Sequence, residues 1–175
     1  LCNDGTCNQV VVCVSEFTPP AEMIKELVNS LTNWAVKKGC TKIISAEGFS
    51  TPPKDDGESN DVYGIASTAG ARPWIEEAKV KPFTFGTVGG ITGAFLNDGK
   101  IRNLNVLGLL AEVSEDVPDA KAAANVIKAI DELLLAIELD PKPLLKEAES
   151  LEKEVQKVQE QAPPEISSSI SRYIG

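Results

Sequence analysis

The sequence predicts an α/β domain: a mostly parallel central sheet flanked by helices, with a further helix added at its C-terminus. Three observations carry this. Gln9 to Ser15 (QVVVCVS) is an unbroken, β-branched run of the kind that parallel sheets bury on both faces. An amphipathic helix and then Thr41 to Ala46 (TKIISA) follow it, the strand, helix, strand order of a βαβ unit with its right-handed crossover. Further on, Asn103 to Leu110 (NLNVLGLL) reads as another buried strand ahead of a second amphipathic helix. At 175 residues and 42% hydrophobic, the chain has the material for one core and one domain.

Each element has its own signal. Thr18-Pro19-Pro20 opens the first helix, whose apolar positions Met23, Ile24, Leu27, Leu31, Trp34 and Ala35 recur at helical spacing until Gly39 stops it. After the strand Thr41 to Ala46, the stretch Gly48 to Asn60 contains Pro52, Pro53, Asp55, Asp56 and Gly57 without periodicity. That makes it a loop at the carboxyl end of the strand, the edge where open α/β sheets usually carry function. Val62 to Ser67 reads as a short strand, Arg72 to Ala78 as a short helix with Pro73 in its first turn, and Lys81 to Phe85 as another strand. Gly86 to Gly93 is glycine-rich and leads into Ala94 to Leu96. Glu112 to Asp119 reads as an acidic loop. Asp119 then caps a helix to Glu138 with Ala123, Val126, Ile127, Ile130, Leu133 and Leu134 along one stripe.

The chain thus divides into an α/β domain at 1–140, an amphipathic helix at 141–161 and a flexible tail at 162–175. In the C-terminal helix Leu144, Ala148, Leu151, Val155 and Val158 alternate at spacings of four and three, with Glu and Lys between them. This fits an oligomer seam of coiled-coil type, and it equally fits a helix folded back on its own domain. The segment APPEISSSIS, Ala162 to Ser171, makes the last residues Arg172, Tyr173, Ile174 and Gly175 a loose arm with an apolar tip, suited to docking on a partner.

Composition excludes several functions. A formal charge of −9 repels nucleic-acid phosphates and anionic lipid, so neither nucleic acid nor membrane is expected as a partner. The apolar runs Val10 to Val14 and Leu133 to Ile137 fall far short of the roughly 20 residues that cross a bilayer. Leu1 is followed by polar, turn-like residues without a signal-peptide pattern. We therefore expect a cytoplasmic protein with further sequence upstream. With no histidine, Ser-His and Cys-His catalysis and histidine-ligated metals are ruled out, and no cofactor is expected.

The remaining candidates for chemistry are few. Cys2 and Cys7 flank the turn signal Asn3-Asp4-Gly5-Thr6 and face each other if a hairpin forms, whereas Cys13 and Cys40 read as small buried side chains. The run Gly86, Gly89, Gly90, Thr92 and Gly93 is a possible anion loop, although it lacks both the P-loop and the dinucleotide spacing. Tight packing of strand to helix explains the same glycines. Glu47, Asp55, Asp56, Glu58 and Asp61 cluster around the long loop without the spacing of a calcium site, and solvated charge accounts for them. Trp34 and Trp74 read as core or helix-edge anchors.

The order of features resembles a known family. A strand ending near Ser15-Glu16, Pro19-Pro20 opening a helix, a strand running to Glu47-Gly48 and then Val62-Tyr63-Gly64-Ile65-Ala66 are similar to the archaeal proteasome assembly chaperone family, of the ATP-independent proteasome assembly chaperone 2-like type. The likeness continues through Gly89-Gly90-Ile91-Thr92-Gly93, where the family has Gly-Pro-Ile-Thr-Gly. It runs on through Leu107 to Glu112 and Pro118-Asp119-Ala120-Lys121-Ala122-Ala123, spanning residues 9–160. The resemblance implies a phosphorylase-like sandwich that self-associates and binds proteasome α-subunits without hydrolysing nucleotide, in some members through a C-terminal hydrophobic-Tyr-X tail. Here Tyr173 is third from the end and follows Arg172, and Gly90 stands in place of the proline. The family's additional N-terminal strands are absent from this sequence. The expectation is a non-catalytic, homo-oligomeric assembly chaperone. The alternative is a small-molecule or phosphate-binding enzyme using Gly86 to Gly93.

Overall fold

The computed structural model describes residues 2–3, 6–7, 10–15, 17–50, 61–113, 119–134 and 146. In chain order the elements are β1 (Cys2–Asn3), β2 (Thr6–Cys7), α1 (Ala21–Lys37), β3 (Ile43–Ser50), β4 (Val62–Ala66), α2 (Pro73–Glu77), β5 (Lys81–Pro82), α3 (Gly90–Arg102), β6 (Val106–Val113) and α4 (Ala120–Leu134). β1 and β2 form a separate antiparallel hairpin whose backbone register sets Cys2 opposite Cys7.

The last strand of the sheet in sequence is its centre in space. β6 lies between β3 and β4 in the order β3-β6-β4-β5, parallel to β3 and antiparallel to β4, with β5 parallel to β4 outside it. The apolar composition of β6 suits this place, since a strand covered on both faces needs no polar alternation. Every residue from Val106 to Glu112 is buried. Leu107, Leu109 and Ala111 pack with Trp74 of α2 and with Ala122, Ala129 and Leu133 of α4. Val106, on the opposite face, packs with Val28 of α1 and with Phe95 and Leu96 of α3. The result is a sandwich of three layers, with α1 and α3 on one face and α2 and α4 on the other.

Local chemistry sets the helix ends. α1 begins after Pro20 and closes with a Schellman turn: Gly39, at φ 74°, donates to the Val36 carbonyl at 3.0 Å, and the Cys40 amide donates to the Ala35 carbonyl at 2.9 Å. Asp119 caps α4 as expected, its Oδ1 accepting from the Ala122 amide at 2.9 Å.

Several sequence expectations require correction. Val10 to Ser15 is not a strand: the segment joins no sheet and is exposed throughout, Val12 at 76% and Val14 at 85%. A strand needs a ladder, and among the described residues nothing pairs with the outer edge of β3. The parallel crossover that defines the class is therefore the β3-to-β6 pairing rather than a unit starting at Gln9. Cys13, in that exposed segment, and Cys40, just beyond the helix-ending turn, are exposed rather than buried. β3 runs on through Gly48, Phe49 and Ser50, so the loop after it begins later. The strand at Lys81 shortens to two residues, and Phe85 is 95% exposed. Glu112 belongs to β6 and is buried. Ala123 is exposed, because α4 turns Ala122, Ala124, Ala129 and Leu133 inward.

Candidate functional site

At the carboxyl end of the central strands, on the α3 face, the sheet meets the N-terminus of a helix. β3 alternates its side chains, so Ser45, Glu47 and Phe49 share the α3 face. α3 starts inside the glycine run: Gly89 is its N-cap and Gly90 its first residue, which brings Thr92 over β3. Ser45 Oγ and Thr92 Oγ1 lie 2.8 Å apart in a buried hydrogen bond, and the Thr92 amide donates to Glu47 Oε2 at 3.3 Å. A carboxylate on the strand thus accepts from one of the amides left over at the helix start and faces the positive end of the helix dipole.

Two glycines make this approach possible. Gly90 sits at φ 56°, and a Cβ there would stand 2.6 Å from Glu47 Oε1. Proline, the residue of the resembling motif at this position, cannot adopt a positive φ. Gly93 donates its amide to the Gly89 carbonyl at 2.8 Å, and a Cβ on it would lie 2.2 Å from the Val88 carbonyl oxygen. Gly89, Gly90, Thr92 and Gly93 are therefore brought together at one helix start, and Gly86 lies in the approach to it. The space an external anion would take beside the Thr92 amide already holds the Glu47 carboxylate.

Beside this lock runs an aromatic row. Phe49 and Tyr63 meet edge to face at 5.9 Å, and Tyr63 and Phe83 at 6.5 Å, so one residue each from β3, β4 and the segment after β5 bridges the sheet end. At the rim Lys81 Nζ contacts Asp61 Oδ2 at 2.5 Å. That hydrogen bond, with the negative charge of Asp61 and Glu112 nearby, holds the Lys81 ammonium above its usual pKa range. Nothing in the sequence singled out the aromatic row, because its three members come from separate elements and only the sheet order aligns them. On the other face, a cleft of about 280 Å³ lies between α4 and the β4–β5 edge, with Lys79, Lys81, Lys128, Asp61 and Glu132 in its wall. Lys79 pairs there with Glu132 at 2.7 Å.

Other predicted sites are not reached. The seam residues Leu144, Ala148, Leu151, Val155 and Val158, and the tail residues Arg172, Tyr173, Ile174 and Gly175, lie outside the described residues. So do Asp55, Asp56 and Glu58. Among the described residues no group of acidic or cysteine side chains is placed to hold a metal ion, and no helix is long and apolar enough to cross a membrane.

These features define a three-layer α/β sandwich of mixed sheet, in which the glycine-rich run is a structural junction between helix and sheet. The chain belongs to the PAC2 family, whose profile matches residues 1–159. It is 32% identical over 152 residues to the uncharacterized protein MJ0106 of Methanocaldococcus jannaschii, covering 83% of this chain and 60% of that protein. Its structure is similar to that of Pyrococcus furiosus PbaA, an archaeal homolog of proteasome-assembly chaperone. The TM-score is 0.73 at 28% identity, over 84% of this chain and 60% of that one. Pyrococcus furiosus PbaB, an archaeal proteasome activator, shares the fold at a TM-score of 0.67 and 23% identity, over 81% of this chain and 61% of that one. The chain thus spans about three fifths of the length of the relatives it matches.

Proposed function

We propose that this protein is a non-catalytic assembly chaperone of the cytoplasm that self-associates and binds proteasome α-subunits. The observation that carries the reading is membership of the PAC2 family together with structural similarity to an archaeal homolog of proteasome-assembly chaperone. The site chemistry is consistent with it. At the carboxyl end of the sheet, the side chains best placed for chemistry, Ser45, Glu47 and Thr92, are engaged with one another. In this reading the tail Arg172, Tyr173, Ile174 and Gly175 docks on the α-subunits, and the seam from Leu144 to Val158 joins the copies. Several tails on one oligomer gain avidity through effective concentration, so each contact needs little affinity of its own.

The test is co-sedimentation of the full chain with recombinant proteasome α-subunits beside a variant lacking Arg172 to Gly175, with native mass measured on each. Binding by the full chain as an oligomer supports the chaperone, and its loss with the tail supports the docking mode. Binding retained without the tail moves the contact to the folded domain, and no binding by either form overturns the proposal. The alternative, a phosphate-binding enzyme at Gly86 to Gly93, places an anion against the Glu47 carboxylate. A thermal-shift screen with phosphates and nucleotides is expected to be flat.

A further inference from the structure

β1 and β2 are two residues long each and pair antiparallel, which places Asn3 opposite Thr6 and Cys2 opposite Cys7. Asp4 and Gly5 lie between positions 3 and 6, the length and the composition of a two-residue hairpin connection. In a hairpin of that kind the pair closing the connection exchanges hydrogen bonds, and pairs alternate outward from it. The next pair, here Cys2 with Cys7, is then of the non-hydrogen-bonded type. The Cα atoms of such a pair stand about 4.5 Å apart, within the span of about 4.4–6.8 Å that a disulfide bridges. The other two cysteines have no such register. Cys13 lies in a segment that joins no sheet, and Cys40 follows the closing turn of α1.

We propose that Cys2 and Cys7 are a redox-active pair, closed into a cross-strand disulfide by exchange with a small-molecule disulfide and reopened by small-molecule thiols. One cysteine thiolate attacks a sulfur of the small disulfide, which forms a mixed disulfide and releases one thiolate. The second cysteine, as thiolate, attacks the protein sulfur of that intermediate, and the second small thiolate leaves. Two cysteine thiols are thereby oxidised by two electrons, the small disulfide is reduced to two thiols, and those thiols carry off both protons. The ring so closed is short, so the bond gains little from chain entropy and stays within reach of cellular thiols. Closure fixes β1 against β2 in one register. Reduction leaves that register to a two-stranded hairpin of two pairs, which is marginal in water by itself. The inference rests on this hairpin alone and is independent of the chaperone reading.

The experiment equilibrates the full chain in glutathione buffers of stepped disulfide-to-thiol ratio, quenches in acid, alkylates the free thiols and reads the mass of the intact chain and of its digest. Cleavage beside Asp4 separates Cys2 from Cys7, so their peptides then stay joined only through a disulfide. The expected result is a fall from four alkylated cysteines to two as the buffer becomes oxidising, with the Cys2 and Cys7 peptides joined. Cys13→Ser keeps the bond and Cys7→Ser loses it. The equilibrium constant for closure is expected to be at least about tenfold higher in the native chain than in concentrated urea, because the ladder and not nearness in sequence brings the pair together. Four alkylated cysteines at the oxidising end overturn the proposal, as does a bond from Cys2 or Cys7 to Cys13, to Cys40 or to a second copy. Equal constants with and without urea overturn it too.

Discussion

Thr92→Val tests the lock between α3 and β3 with little change in shape. Thr92 is 0% exposed, and its Oγ1 lies 2.8 Å from Ser45 Oγ, itself on a residue 8% exposed. Valine keeps both branches of the side chain, so no cavity opens. The loss is one hydrogen bond plus the stranding of the Ser45 hydroxyl, together about 2 kcal/mol within a range of about 1–3. For a chain of this size that lowers Tm by about 4–8 °C. Ser45→Ala strands the Thr92 hydroxyl and is expected to cost about the same. The Ser45→Ala/Thr92→Val double variant removes both polar groups and is expected to be no less stable than either single variant, a coupling of about 2 kcal/mol. Urea unfolding followed by tryptophan fluorescence reads all four proteins, since Trp74 is 8% exposed in the core. Single effects that add to within about 0.5 kcal/mol refute the pairing, as does a Thr92→Val variant as stable as the parent.

Three further outcomes follow from the geometry. Gly93→Ala drives a methyl to 2.2 Å from the Val88 carbonyl oxygen, a backbone atom, and is expected to destabilise by about 2–3 kcal/mol in the same assay. Lys79→Gly relieves a non-glycine residue at φ 55° in the turn after α2 and gives up only an exposed ion pair with Glu132. It is expected to stabilise by about 0.5–1 kcal/mol, with a rise in Tm as the readout. NMR of ¹³C-methylated lysines is expected to show Lys81 titrating above 10.5 and moving down in Asp61→Asn. Because the folded pKa is raised, any stability this pair adds is present below the unfolded lysine value. It fades as alkaline pH passes the folded one.

The sequence was most legible where one element supplied its own evidence. The Pro19-Pro20 opening and Gly39 stop of α1, the Asp119 cap of α4 and the apolar block of β6 are local signals, and the structure places each where its chemistry says. Periodicity failed at Gln9 to Ser15, because composition states only that a run is able to form a strand, and pairing depends on a neighbour elsewhere in the chain. It also missed the extent of α3. Gly90, Gly93 and Gly99 depress helix propensity, whereas packing of Phe95 and Leu96 on β6 and the Glu47 contact set its course. At the candidate site the glycines were visible, but their partner was not. Glu47 stands 45 residues before Thr92, and nothing in the spacing declares that its carboxylate fills the helix start. The aromatic row of Phe49, Tyr63 and Phe83 is likewise a product of sheet order.

That sheet order also bears on how the chain comes off the ribosome. β3 and β4 are made early, yet each finds its inner neighbour only in β6, and the pairing of Ile43 with Val106 closes a long segment of chain. Such non-local pairing is slow to form. At ordinary rates of synthesis, the roughly 50 residues from the end of β4 to the end of β6 take about 2–10 s to appear. Through that interval the two older strands have no central strand to join, and their apolar faces are open to holdases or to neighbouring nascent chains. A substitution that weakens β6 therefore lowers the yield of folded protein during translation by more than its effect on the finished molecule would suggest.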